Sequence, residues 1–379
     1  MAEPASVALW LFVQELGYRA AAEAVRTGDV PEEVSACTDA RRSTTDPEAD
    51  LAAAERNGIR LITPDSPDWP HFAFAPLQRH ARRRVAEWLT GRRTRPPRGE
   101  LIPPLALWVR GSGELSTVGT CSAALVGSRA ASNYGEHVAA DFGYGLARRD
   151  VVVVSGGAYG IDAAAHRGAL AADGVSVLVS AGGLDRPYPA GHRSLYDRIA
   201  EMGVLVSERP PGSAPHRQRF LSRNRIIAAL GAATVVVEAG QRSGALNTAG
   251  HARDLGRPVL TVPGPITSAM SVGCHRLLQR DEQPAFPVTS VADVLRFSGA
   301  GFGEDTGPDR TPPESGPRAD ALDPVARCVL DGFPARGAVT ETELARLCGQ
   351  PTAVVLAVLP VLVELGLVAS SGTGHRLVR

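Results

Sequence analysis

Ser155, Asp162 and His166 fall in one short stretch, SGGAYGIDAAAHRGAL, and bracket the pair Gly156-Gly157. Two chemistries fit such residues. A serine, an acid and a histidine make a nucleophilic triad when the acid orients the base against the nucleophile. Asp162 and His166, four apart on a helix, share a face. Nothing in the spacing brings either to Ser155, so the preferred reading is that these side chains fix the glycine loop by hydrogen bonds. The other chemistry is anion binding. Glycines let the backbone turn and approach a ligand without a Cβ, and the first N–H groups of a helix starting near Ile161 are unpaired and point at the loop. Phosphate is the expected guest.

A second stretch, RQRFLSRNRIIAALGAATVVVEAGQRSGALNTAGHA, crowds Arg217, Arg219, Arg223 and Arg225 around Phe220. Guanidinium groups track phosphates while an aromatic ring stacks a base, which is what single-stranded nucleic acid requires. The alternative puts Phe220 in the core and uses Asn224-Arg225 to cap a helix. That alternative holds for some of the arginines, because IIAAL beside them must be buried. The turn from Gly240 to Thr248 opens another helix N-terminus, with Ser243, Gly244, Asn247 and Thr248 available to a phosphate.

The elements that carry these motifs alternate. AALVG, VVVVS, VSVLVS, GVLVS, ATVVVE and PVLTVP are short β-branched runs separated by helical segments such as YGEHVAADFGYGLARR. Alternating strands and helices over residues 119–298 predict an α/β fold, a doubly wound and mostly parallel sheet, because parallel strands need crossover helices. Ligands in such sheets bind outside the carboxyl ends of the strands. That edge carries Gly127-Ser128-Arg129, Ser155-Gly156-Gly157, Ala181-Gly182-Gly183, Ser207-Glu208 and Glu238-Ala239-Gly240.

Around this core, residues 1–45 read as a small helical unit with stops at Gly17 and Gly28, either a helix-hairpin-helix-like (SAM-like) DNA module or, preferably, a packing cap. Residues 46–298 form the main domain. Its stretch Arg79 to Arg98 holds eight arginines against one acid, Glu87. It reads either as a solvated helix face followed by a proline-rich loop or as a landing strip for a phosphate backbone. Residues 299–322 are Gly, Pro, Asp and Glu, a flexible linker. Residues 323–379 then give three helices and a hairpin, with Thr340 and Glu343 opening the second helix, and so suggest a winged helix. Its third helix, from Thr352 to Leu365, has no arginine, so packing or protein contact is the preferred role over DNA reading.

Composition removes several classes. The chain has 379 residues, zero formal net charge and no lysine. No bulk polycation drives binding, and a nucleic-acid site must come from clustered arginines. Without lysine there is no G-x-x-x-x-G-K-[ST] loop, and no full G-x-G-x-x-G follows the first parallel strand, so ATP hydrolysis and hydride transfer lose support. Five scattered cysteines without a C-x-x-C pair argue against a zinc knuckle or a disulfide framework. No signal peptide and no stretch approaching a membrane span is expected, which places the protein in the cytoplasm.

GSRAASNYG, SGGAYGIDAAAHRGAL, YPAGH, FLSRNRII, VVVEAGQRSGALNTA and VPGP occur in one order. That series resembles the DNA-processing protein A family (DprA, also called Smf), closely over 119–283 and more loosely through PDWP and PPLALWVRG. The resemblance implies a Rossmann-like domain that binds single-stranded DNA, forms a homodimer and helps load the RecA recombinase, without enzymatic activity, cofactor or metal. On the matching motifs, Arg129, Ser155, Gly156, Gly157, Tyr159, Arg217, Phe220, Arg223, Asn224, Arg225, Ser243 and Gly244 form the expected DNA-binding set. Four departures stand out. Tyr159 occupies a position where many members carry arginine, and is expected to pack against the helix, with stacking on a base as the alternative. His192 replaces the asparagine of the commoner YP-x-x-N, and RDEQPAF replaces a Gly-Ala stretch. Arg217 stands where lysine is frequent and keeps the charge. The competing class is a related nucleoside-monophosphate hydrolase, whose Pro-Gly-Gly-x-Gly-Thr-x-x-Glu motif is here EAGQRSGALNTA, with no matching acid.

Overall fold

Each β-branched run that ends in a glycine loop becomes a strand of one sheet. The computed structural model describes residues 3–90, 92, 101–300, 322, 324–334, 337–371 and 374–378. The strands are β1 (Arg60–Ile62), β2 (Leu107–Arg110), β3 (Ser122–Val126), β4 (Val152–Ser155), β5 (Ser176–Val179), β6 (Val204–Ser207), β7 (Ala233–Val236), β8 (Val259–Thr261) and β9 (Phe286–Pro287). Their spatial order is β1-β2-β6-β5-β4-β3-β7-β8-β9. All pairs from β6 through to β9 are parallel, and β2 and β1 extend the sheet with antiparallel pairings.

Every residue of β3, β5, β6, β7 and β8 is buried, which is why these strands read as continuous apolar runs rather than as alternation. Helices Asn133–Ala147 and Ile161–Ala171 cover one face through Phe142, Leu146 and Ile161. Helices His71–Leu89, Arg217–Leu230 and Ala245–Asp254 cover the other through Phe74, Leu77, Ile226, Ile227 and Ala249. From β3 the chain winds outward through β4, β5 and β6, then returns to the other side of β3 as β7. Val126 and Val236 therefore lie side by side at the carboxyl ends of β3 and β7. This is the switch point at which a doubly wound sheet opens a crevice.

The N-terminal helices Val7–Leu16 and Tyr18–Thr27 end at Gly17 and Gly28 as expected, and Trp10 packs with Ala81, Val85 and Ile102 of the main domain, as a cap does. Helix His71–Leu89 exposes Arg79, Arg82 and Arg83, while Glu87 pairs with Arg83 and Arg84. Arg93, Arg95 and Arg98 lie outside the described residues, as does most of the expected linker, 301–321. One strand the sequence did not show is β9, which begins at Phe286, the last residue of RDEQPAF: a two-residue edge strand containing proline is too short for periodicity to show. The chain divides into units 1–302 and 303–379, a division inside the expected linker 299–322. The second unit has helices Pro324–Asp331, Glu341–Cys348 and Thr352–Glu364, then the hairpin Val368–Ser371 with Gly374–Leu377. Val339 bridges to His375, and Thr340 caps the second helix through the Glu343 N–H. No single helix among the described residues is long and apolar enough to cross a membrane.

Candidate nucleic-acid interface

A cleft of about 680 Å³ opens at the switch point. Its walls are the loop Gly127–Ala130 after β3, the first turns of helix Arg217–Leu230, the turn Gly240–Ala245 after β7, and Tyr188, with Ala158 and Asp162 at the start of helix Ile161–Ala171 also lining it. The sequence sets this up locally. Gly127-Ser128 follow β3 directly and Ala239-Gly240 come three residues after β7, so both loops can turn at the sheet edge, and helix Ala245–Asp254 begins with Gly244 as its N-cap.

Arg129 and Phe220 come together at the mouth. The Arg129 guanidinium carbon lies 4.7 Å from the centre of the Phe220 ring, a cation–π contact. Tyr188, 47% exposed, approaches the same ring at 5.4 Å between centroids. Arg217 is exposed at the first helical position and lines the cleft beside them. Ser243 and Gly244 line the opposite wall, and a Cβ built on Gly244 would meet nothing within 4 Å. Asn224 joins the two walls, with its side-chain amide donating to the Asn247 side-chain oxygen at 3.1 Å and the Gly244 carbonyl at 3.4 Å. Arg129, Arg217, Phe220, Arg223, Asn224, Ser243 and Gly244 of the expected set thus share one cleft.

The glycine loop is placed differently. Ser155, Gly156 and Gly157 are buried and do not line the cleft. Arg223 fills the space in front of them: its guanidinium donates to the Gly156 carbonyl at 2.8 Å and to the Val179 carbonyl. A Cβ on Gly156 would come within 2.5 Å of that guanidinium. Gly157 has φ +72°, and a Cβ there would meet Leu178 at 2.6 Å. The glycines are needed because the protein's own side chains approach, not because the loop is open to a phosphate. The N-terminal end of the following helix is likewise filled from within, by the Asp162 carboxylate accepting from the Ala158 N–H at 3.3 Å. Burial pushes the Asp162 carboxyl up and the Arg223 guanidinium down from their ordinary values, and their opposite charges partly restore each other.

No triad forms. The Ser155 hydroxyl donates to the Leu125 carbonyl at 2.6 Å. His166 Nδ1 lies 2.7 Å from the Ser176 hydroxyl, which itself donates to the Val153 carbonyl at 3.0 Å, so the imidazole is the donor of that pair. Burial, with His192 and Arg223 nearby, holds His166 neutral by pulling it to about 3.

Two further residues of the expected set stand apart from the cleft. Arg225 is fully buried and forms a bidentate pair with Glu208, at 2.6 and 2.7 Å, and also donates to the carbonyls of Ile102 and Ser222. With its donors spent it reaches no ligand. Tyr159 is 52% exposed but packs its ring against His192 at 4.6 Å between centroids, while His192 is bonded to the Gly157 carbonyl at 3.0 Å. Tyr188 and Arg242 line the cleft and were not singled out from the sequence. Tyr188 lies inside YPAGH, and Arg242 is the one cation in the EAGQRSGALNTA turn. Glu238, the acid of that turn, is buried and accepts from the Ser132 N–H and hydroxyl at 2.9 and 2.6 Å.

Comparison with known proteins agrees with this architecture. The family model described as DNA recombination-mediator protein A matches residues 100–299. The putative DNA processing protein DprA of Mycobacterium tuberculosis (strain H37Rv) is 47% identical over 379 residues, covering all of this chain and 92% of the relative. DNA processing protein DprA of Streptococcus pneumoniae is 41% identical over 192 residues, 51% of this chain and 66% of the relative. The X-ray structure of the DNA processing protein A from Streptococcus pneumoniae superposes with a TM-score of 0.59 at 29% identity, covering 76% of this chain and 92% of that one. With a matched domain that spans the sheet and its cleft, and a relative aligned along the whole chain, the protein belongs to the DNA recombination-mediator protein A (DprA/Smf) family.

Proposed function

We propose that the switch-point cleft binds single-stranded DNA and that the chain acts as a recombination mediator without chemistry of its own. The observation that carries this reading is the Arg129–Phe220 contact at the cleft mouth. It sets a guanidinium and an aromatic face side by side where an unpaired base and its phosphate arrive together. Arg217 and Arg242 take further phosphates, and Phe220 with Tyr188 offers the stacking surface. Ser243 and the Gly244 turn supply hydroxyl and N–H donors at a helix N-terminus. Arg223 and Asn224 hold the two walls in register. Tyr159 lies outside the strand's path.

A duplex presents its bases stacked inside, so this cleft favours single strands. In the proposed role the protein is cytoplasmic, acts as a homodimer and delivers its strand to the RecA recombinase. The reading as a nucleoside-monophosphate hydrolase has no support at the cleft, where Glu238 is spent on Ser132. A mobility-shift assay with single- and double-stranded oligonucleotides, with and without ATP, tests the proposal. Tight binding to the single strand alone, independent of ATP, is expected. Equal affinity for duplex, or release of free base from AMP, would contradict it.

A further inference from the structure

Phe72 stands at the second position of helix His71–Leu89 and is 58% exposed. The Arg257 guanidinium carbon lies over its ring, 5.9 Å from the centroid. This repeats, away from the cleft, the pairing of Arg129 with Phe220 at the cleft mouth. Arg257 follows the C-terminal end of helix Ala245–Asp254, whereas the cleft is built on Gly244, the N-cap of that helix. The ten helical residues between them span about 15 Å, and no residue of helix His71–Leu89 lines the cleft.

The surroundings of Phe72 are cationic. Arg257 donates through Nη2 to the Ala229 carbonyl at 3.3 Å. Burial and the nearby Arg79 charge both pull its guanidinium below the ordinary value, with no carboxylate acting against them. Arg79 comes seven residues after Phe72, about 10 Å along the axis and within about 20° of it around the helix, so the two lie on one line. Arg79 is exposed and makes no ion pair among the described residues. The acids nearby are engaged elsewhere. Asp68, four residues ahead of Phe72, is spent on Arg60 and on the N–H groups of Leu115 and Ser116, and Asp254 bears on Arg253 and His80. Helix His71–Leu89 has no side-chain cap and no acid in its first turn, so its unpaired N–H groups add positive potential beside Phe72.

We propose that Phe72, Arg79 and Arg257 form a second site for single-stranded DNA, in which a base stacks on the open face of Phe72 and neighbouring phosphates meet Arg257 and Arg79. An exposed aromatic ring among guanidinium groups suits unpaired bases and their backbone. An acidic protein surface would engage the arginines but offers the ring no flat partner. Of the arginine-rich stretch 79–98, Arg79 is the residue that this site assigns to a phosphate backbone. With the cleft at one end of helix Ala245–Asp254 and this site at the other, a long strand held at one gains effective concentration at the other. Neither site depends on the other for its contacts.

The test is fluorescence anisotropy on the full chain with oligothymidines of about six and about thirty nucleotides, the first filling one site only. The Phe72→Ala, Arg79→Ala double variant is expected to bind the long oligonucleotide about tenfold more weakly, with a salt slope lower by about 0.7, while the short one in the cleft is unchanged. Arg217→Ala with Phe220→Ala is expected to leave residual long-strand binding that the further loss of Phe72 and Arg79 removes. If the double variant does not fold, Arg79→Ala alone, at an exposed side chain, is expected to lower the long-strand salt slope by the same amount and decides the matter. Wild-type affinity for the long oligonucleotide without Phe72 and Arg79 would overturn the proposal. So would an equal loss on both lengths, which traces the effect to the cleft, or a changed oligomeric state with unchanged strand affinity, which makes this face a protein contact. Full long-strand affinity after loss of Arg217 and Phe220, with the Phe72 and Arg79 effect retained, would instead remove the cleft reading and leave this site standing.

Discussion

The Arg223 guanidinium donates to the Gly156 carbonyl at 2.8 Å, so a helix from the second half of the chain fixes the glycine loop of the first. Both motifs are tied to one structural task, holding the floor beneath the cleft. Arg223→Ala would leave the Gly156 and Val179 carbonyls and the buried Asp162 carboxyl short of partners. A loss of about 3 kcal/mol in unfolding free energy by urea denaturation is expected. Gly156→Ala, whose Cβ would collide with the same guanidinium, is expected to destabilise by a comparable amount.

Arg217 and Arg225 should separate cleanly. Arg225→Ala breaks a buried bidentate pair and is expected to cost about 3–5 kcal/mol of stability. Arg217→Ala, at an exposed position, is expected to leave stability within about 0.5 kcal/mol while lowering the salt slope of oligonucleotide binding by about 0.7, one phosphate contact on a single strand. Denaturation curves and salt titrations of both variants check the assignment.

These two arginines also show where sequence reasoning stops. Strands β3, β4, β5, β7 and β8 were legible because each is a short apolar run with a glycine close behind it, and the cleft was legible because Arg217, Phe220 and Ser243-Gly244 all fall where the chain leaves the carboxyl end of a strand to start a helix. Arg217 and Arg225 are only about 80° apart around the helix, so periodicity does not distinguish them. Depth does: Arg217 stands in the first turn at the sheet's edge, and Arg225 lies two turns further in, beneath Glu208. Gly156 posed the opposite difficulty. A glycine that admits a ligand and a glycine that admits the protein's own arginine read alike until the arginine's position is known.

Tyr159 packs on His192, and the proposed path of the strand leaves it out. Tyr159→Ala is expected to bind oligothymidine with unchanged affinity in an anisotropy titration. A loss of tenfold or more would restore the ring to the DNA-binding surface.

Stability should fall in mild acid, in part through His166. The folded state holds this imidazole neutral down to about pH 3, while the unfolded chain takes up its proton near 6.5. The contribution is therefore complete above pH 6.5 and is lost as pH falls toward 3, by about 1.4 kcal/mol per pH unit at most. In His166→Gln, the dependence of unfolding free energy on pH between about 4 and 6 is expected to be shallower by about 1 kcal/mol per unit. An unchanged slope would mean that the ring is charged in the folded protein.

The most direct measurement is the affinity of the Arg217→Ala, Phe220→Ala double variant for oligothymidine, with circular dichroism to verify the fold. Loss of a phosphate contact and of a stacking ring together is expected to weaken binding about a hundredfold. Wild-type affinity in a folded double variant would contradict the assignment of the switch-point cleft as the site where the strand is held.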